Sequence, residues 1–352
     1  MTLAAVQGQT RAVEALQAAL AKKQVHHAWL FHGPDGVGKE LAAAGLAQAL
    51  VCEKQPFVGC GTCAACARVT NRNHPDVTWV MPEAEQVERG IAGRSDFTNT
   101  PSRDIRIEQV RKLQERLAFR ALEAPHKIAL LVTAHAMNQS AQNALLKTLE
   151  EPPRDTILIL ISAAPDKLLP TIRSRCAKAA FGPLSLEFIA EQVKQRSTKK
   201  GKKGEPATTI DDALALQIAK MSSGSLARAL SFDPKTLTRR KELIESFEKL
   251  VPNDASGWLS LAETLAEDRD TAEAAIDVLQ VWFRDVAIAQ VGGDAFVNSD
   301  LAELAFKAAP RVSPAGLQRR TVVLDEAKNA ITQRNGAVRL QLERMFIEMF
   351  AA

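Results

Sequence analysis

The chain has 352 residues, 46% hydrophobic and 24% charged, enough for two or three domains with cores of their own, which excludes global disorder. Lys and Arg number 45 against 41 Asp and Glu, a net +4, too mild an excess to demand a polyanionic partner. No run approaches about 18 consecutive apolar residues, and Met1–Leu20 breaks its apolar positions with Gln7, Arg11 and Glu14, so a cytoplasmic protein without a membrane span or signal segment is expected.

In chain order, Leu3 to Lys22 has a helical spacing at Val6, Val13, Leu16 and Leu20, and His27 to His32 reads as a short buried strand before a glycine loop. Leu41 to Val51 is an alanine-rich helix. Ile105 to Phe119 carries Ile107, Val110, Leu113 and Leu117 on one helical face, Lys127 to Thr133 is a strand, Ser140 to Glu150 a helix and Thr156 to Ser162 a strand. This alternation predicts a parallel sheet flanked by helices, an α/β domain over residues 1–182. Phe181-Gly-Pro-Leu184 marks a hinge into a small helical domain, 183–236, with helices at Leu186–Gln195 and Asp211–Met221. Between them, Arg196 to Lys203 reads as a solvated basic loop or a phosphate-contacting patch. From 237 to 352 the period is helical almost throughout, with breaks near Pro252, Gly292 and Pro314, and an all-α third domain is expected.

Two motifs carry chemistry. Gly33-Pro34-Asp35-Gly36-Val37-Gly38-Lys39-Glu40 lies between a strand and a helix, the setting in which backbone N–H groups, a helix N-terminus and a lysine cradle phosphates. Where a Ser or Thr hydroxyl would ligate Mg²⁺ the chain has Glu40, which repels phosphate unless it turns away. The strand that should end in magnesium-binding acids runs instead into Val132-Thr133-Ala134-His135, with no Asp or Glu between Lys127 and Leu149. The expectation is a loop that holds ATP or ADP without Mg²⁺-assisted hydrolysis; His135 reads as a structural histidine. The second motif is Cys52-x7-Cys60-x2-Cys63-x2-Cys66 with Gly59 and Gly61 between. Four thiolates at this spacing suit a structural Zn²⁺ with no position open to water, an iron–sulfur cluster or free thiols being the alternatives. Further on, Arg173 and Arg175 follow a strand and a proline, placed either as solvated side chains or to reach a phosphate across a subunit boundary. Arg228, in Gly224-Ser-Leu-Ala-Arg228, opens a helix from which it can fold over a nucleotide.

Taken together, GPDGVGK, the four cysteines, ALLKTLEEPP, TILILIS, TIRSRC and GSLARAL resemble the clamp-loader branch of the AAA+ ATPases that serves bacterial DNA polymerase III, over about residues 5 to 230. The C-terminal helices, with VWFRD and RNGAVRLQLE, resemble that family's collar more loosely. The resemblance implies an AAA+ core with a zinc insertion at 52–66, a lid and an oligomerising collar. It also implies a five-subunit ring with gamma/tau and delta subunits that places a sliding clamp on primed DNA. Aligned through ALLKTLEEPP, Val132 and Thr133 stand where the motor subunits have their acids. The resemblance therefore points to the branch's non-hydrolysing stator, not an enzyme in itself but an accessory subunit of a polymerase whose nucleotidyl transfer belongs to the complex. Arg175 would be its arginine finger in trans and Arg228 a lid sensor. An ATP-hydrolysing gamma/tau-type motor is the alternative.

Overall fold

A computed structural model describes residues 2–197, 210–232, 234–333 and 336–350. The basic stretch at 198–203 lies outside the described residues. The chain divides into two compact units, Met1–Gln192 with Ser223–Arg228, and Val193–Ser222 with Ala229–Ala352. No described helix is long and apolar enough to cross a membrane.

In the first unit, β1 (Ala28–His32), β2 (Val77–Val80), β3 (Lys127–Leu131), β4 (Thr156–Ser162) and β5 (Ala177–Ala180) form one sheet in the order β2-β3-β4-β1-β5. All neighbours are parallel, with Ala28 opposite Leu158, His32 opposite Ser162 and Trp29 opposite Ala177. Every residue of β3 and β4 is buried, which is why both read as continuous apolar runs and not as alternating strands. From β1 the chain crosses to the far edge at β2, returns through β3 and β4, and then adds β5 on the other side of β1. This reversal puts the carboxyl end of β1 at the crevice where open parallel sheets bind ligands.

Helices flank the sheet: α1 (Thr10–Ala21), α2 (Lys39–Val51), α3 (Ala64–Thr70), α4 (Glu83–Glu88), α5 (Ile107–Ala118), α6 (Gln139–Glu150) and α7 (Pro170–Arg173). Val110, Leu113 and Leu117 of α5 and Leu145 and Leu149 of α6 pack with Leu131, Leu158 and Leu160 of the sheet in one buried cluster, the apolar stripe that the 3.6-residue period requires. The first helix is shorter than its periodicity suggests. A 3₁₀ turn covers Leu3–Ala5, and α1 begins only at Thr10 because Gly8 takes φ +74°, with Leu184 Cδ2 only 2.5 Å from where a Cβ would stand.

The link from α5 to β3 is pinned by one buried acid. Asp76, 7% exposed, accepts from the N–H groups of Leu122 (2.6 Å), Glu123 (2.8 Å) and Ala124 (2.8 Å). Burial pushes its carboxyl up, but the three donors outweigh that and hold it below its ordinary value. The depressed value makes the stabilisation complete above the unfolded carboxylate's pKa of about 4 and lost as pH falls through the folded value. Asp76→Asn should cost about 2 kcal/mol near neutrality and flatten the acid limb of a stability-against-pH curve measured by urea denaturation. An unchanged acid limb would show that Asp76 does not control it.

The second unit is helical. It holds α9 (Asp212–Met221), α11 (Pro234–Glu248), α12 (Ala255–Leu265), α13 (Arg269–Gln290), α14 (Ala302–Ala308), α15 (Pro314–Gln333) and α16 (Val338–Phe350); α8 (Leu186–Ser197) and α10 (Leu226–Leu230) run across the division. Its core gathers Phe247, Trp282, Phe283, Leu324 and Phe346. Fully buried Asp285 accepts from Val297 N (3.0 Å), Asn298 N (2.7 Å) and Asn298 Nδ2 (2.8 Å), fixing the turn after α13.

Candidate functional site

The glycine loop leaves β1 where two neighbouring strands end. Gly33 N–H donates to Ser162 O at 3.3 Å, and at φ +140° its absent Cβ would lie 1.9 Å from the Phe181 carbonyl oxygen, so no other residue fits. Gly36 and Gly38 also take positive φ, +73° and +101°, and Gly38 serves as the N-cap of α2. The loop is braced from below by Gln9, 5% exposed, whose amide donates to Val37 O (3.2 Å) and Gly182 O (2.7 Å) and accepts from Gly182 N (3.0 Å). From above, Leu226 and Ala227 N–H donate to the Gly36 carbonyl at 3.1 and 3.4 Å. Lys39 is buried with its ammonium on Gly33 O (2.6 Å), Pro34 O and Asp35 Oδ1 (3.4 Å). Burial lowers its pKa and Asp35 partly restores it. These are the parts of an anion cradle, a turn of backbone donors at the start of a 13-residue helix with a lysine inside it.

Glu40 does turn away. Its two carboxylate oxygens are taken by Arg72 and, at 2.7 Å, by Arg89. At the end of β3, Thr133 adopts a left-handed conformation, φ +54°, and its hydroxyl donates to Glu85 Oε2 at 2.8 Å. Glu85 comes from α4 and also pairs with Arg89. The structure thus carries to the strand end an acid that the local sequence there lacks. His135 Nδ1 lies 3.3 Å from Ser162 Oγ, and burial lowers its pKa; the ring ties β4 to the turn after β3.

The four cysteines come together. The Sγ atoms of Cys52, Cys60, Cys63 and Cys66 lie within 4.8 Å of one another, with Cys52 to Cys63 at 3.8 Å. A tetrahedron with metal–sulfur bonds of about 2.3 Å has edges of about 3.8 Å, so the donor set fits Zn²⁺. Backbone N–H groups point at the sulfurs: Gln55 and Cys60 at Cys52 (both 3.3 Å), Cys63 at Cys60 (3.3 Å) and Cys66 at Cys63 (3.5 Å). The N–H and hydroxyl of Thr62, with the Cys63 N–H, hold the Cys60 thiol down to about 5, whereas burial pushes Cys66 up. Gly59 and Gly61 supply the turns at φ +82° and +71°. Cys176 is buried away from this group.

Arg175 follows α7 two residues before β5, its side chain 36% exposed and paired at 2.7 Å with Glu150, the last residue of α6. Its guanidinium also donates to Thr171 O at 2.9 Å. Arg173 pairs with Asp166 at 2.9 Å. Arg228 is exposed, with its N–H donating to Ser225 Oγ at 3.2 Å, in the same segment that caps Gly36.

Two family models match, "DNA polymerase III, delta subunit" over residues 8–185 and its C-terminal counterpart over 234–349. A DNA polymerase III subunit delta' of Pseudomonas aeruginosa is 34% identical over 280 residues, 77% of this chain and 74% of that protein. The chain belongs to the DNA polymerase III delta prime family. The delta prime subunit of Bacillus subtilis is 26% identical over 92% of this chain and 91% of its own length. The tau subunit of the same organism is 28% identical over 80% of this chain but only 49% of tau. For this delta prime family member, the loop, the cysteine cluster and the arginines were all legible as motifs. Gln9, Arg72 and Arg89, which reach the loop or the first turn of α2, and Glu85, which reaches Thr133, do so across 28 to 49 positions and belong to no local pattern.

Proposed function

We propose that this chain is the non-hydrolysing stator subunit of the DNA polymerase III clamp loader. It joins gamma/tau and delta subunits in a five-membered ring, helps place the sliding clamp on primed DNA, and presents Arg175 to the ATP of a neighbouring motor subunit. The observation that carries this reading is a phosphate loop that keeps its glycines and Lys39 but has Glu40 at its Ser or Thr position, beside a strand end occupied by Val132 and Thr133. Glu85, which accepts from the Thr133 hydroxyl there, is also paired with Arg89, engagements that compete with holding a metal. The loop binds ATP or ADP through Gly33, Pro34, Gly36, Val37, Gly38 and Lys39 as a structural ligand. Cys52, Cys60, Cys63 and Cys66 hold one structural Zn²⁺, residues 183–236 form the lid with Arg228 as a relic of a sensor, and 237–352 form the collar. A subunit that does not cycle serves as the fixed reference against which ATP-driven neighbours move.

The test measures phosphate release by the purified chain alone and mixed with gamma/tau and delta. We expect turnover only in the mixture. Lys39-dependent turnover by the isolated chain would replace this reading with the motor reading, with Glu85, which the Thr133 hydroxyl contacts, as a candidate acid.

A further inference from the structure

A carboxylate in the first turn of a phosphate-binding helix opposes its ligand unless its charge is spent elsewhere. Here Glu40 is clamped on both oxygens, by Arg72 and by Arg89. Arg89 is shared with Glu85, whose other oxygen takes the Thr133 hydroxyl. Two guanidinium groups therefore face two carboxylates, while Lys39 of the same turn lies on the loop carbonyls and pairs with Asp35 at 3.4 Å.

Arg72 follows the helix that the cysteine module opens. It lies two residues beyond α3, at φ +56°, with its N–H on Val69 O at 3.1 Å and its guanidinium stacked on Trp79 at 4.8 Å from the ring centre. The start of α3 is Cys63, its N-cap, and Cys66 lies in its first turn. Fully buried Gln48 of α2 donates to Cys66 O (3.0 Å) and Thr70 Oγ1 (2.7 Å), locking α3 along α2. Because α2 begins at the loop and is followed directly by Cys52, the two helices are fastened at the sulfur end, at Gln48, and at Glu40–Arg72.

We propose that Arg72 and Arg89 are positioning residues that hold Glu40 off the phosphates, and that the cysteine module's task is to place Arg72 for this. The inference rests on the nucleotide-binding reading above and adds the device that lets a loop lacking its Ser or Thr accept a polyphosphate. Cutting Arg72 leaves Glu40 held only by Arg89, which is shared with Glu85, so one carboxylate oxygen is no longer neutralised and its charge acts on the ligand. The loss then belongs to Glu40's charge and not to Arg72's absence.

The experiment titrates a fluorescent ATP analogue against the full chain, with a melting temperature for each variant to confirm folding. Arg72→Ala should bind about tenfold more weakly, and adding Glu40→Gln to it should recover most of that loss. Chelating the metal from the folded wild type should weaken binding in the same direction, and less so in Glu40→Gln. Arg72→Ala binding like wild type, or a loss that Glu40→Gln does not relieve, overturns the clamp. Undiminished binding after the metal is removed overturns the role given to the cysteine module. A wild-type chain that does not bind the analogue overturns the nucleotide reading itself and this inference with it.

Discussion

Replacing Arg175 by Ala should leave the chain folded and the complex assembled while cutting ATP hydrolysis at the adjoining motor site by about a thousandfold. The side chain has an exposure compatible with the proposed transfer. It is 36% exposed and its partner Glu150 50% exposed, and a pair so open to water contributes at most about 1 kcal/mol, easily exchanged for a phosphate. The backbone beneath it is tied down. Arg175 N–H donates to Ile172 O at 3.1 Å, Cys176 is buried, and the edge strand β5 begins at Ala177, paired with Trp29 of β1. An exposed guanidinium on a hydrogen-bonded backbone suits the proposed meeting with charge developing on a neighbour's γ-phosphate. Arg175→Lys should recover little, since an ammonium cannot donate in the planar fork of a guanidinium. The measurement is DNA-stimulated phosphate release by the reconstituted complex, with gel filtration to check assembly. Full activity in Arg175→Ala would remove the residue from the mechanism.

The second large effect concerns the metal. Cys63→Ser should reduce bound zinc from about one per chain to near zero and lower the stability of the first unit by about 4 kcal/mol or more. Cys63 is the N-cap of α3 and its sulfur lies 3.8 Å from that of Cys52. Its loss breaks a donor set that otherwise leaves several polarised sulfurs crowded together in a largely buried site. Cys176→Ser is the matched control. That thiol is also buried and burial pushes its pKa to about 11, yet it lies outside the cluster, so its replacement should leave metal content unchanged. Metal analysis with thermal melting checks both. A Cys63→Ser chain that keeps its zinc and its melting temperature would sink the assignment.

Much of the fold is legible in the sequence because burial on both faces leaves an unmistakable trace. Thr156–Ser162 is a strand over the same residues that its apolar run suggests, and α6 differs from its expected start by one residue. The glycine loop and the cysteine spacing are equally plain, since each demands particular residue types at particular steps. The rest of the fold has no local period in the sequence. Ala177–Ala180 lacks β-branched residues and becomes a strand only by pairing with β1. Gly8 ends one helical pattern through its backbone, not its hydropathy. Glu85 reaches Thr133 across 48 positions and Arg72 reaches Glu40 across 32, and pairings of that kind are made by tertiary packing alone.

The short segment Ser223–Arg228 belongs to the unit of the phosphate loop, although the residues on both sides of it belong to the other unit. Its two N–H groups on the Gly36 carbonyl close the loop's upper side. During synthesis the ribosome delivers the sheet first and these donors only after Ser222 has emerged. The nascent first unit therefore waits with its loop open on one side, and its completion is tied to the production of the helical segment that precedes the missing strap. A chain cut between the two units at Gln192 would lack that strap permanently, so any excised nucleotide-loop fragment needs residues 223–228 supplied in trans or spliced back.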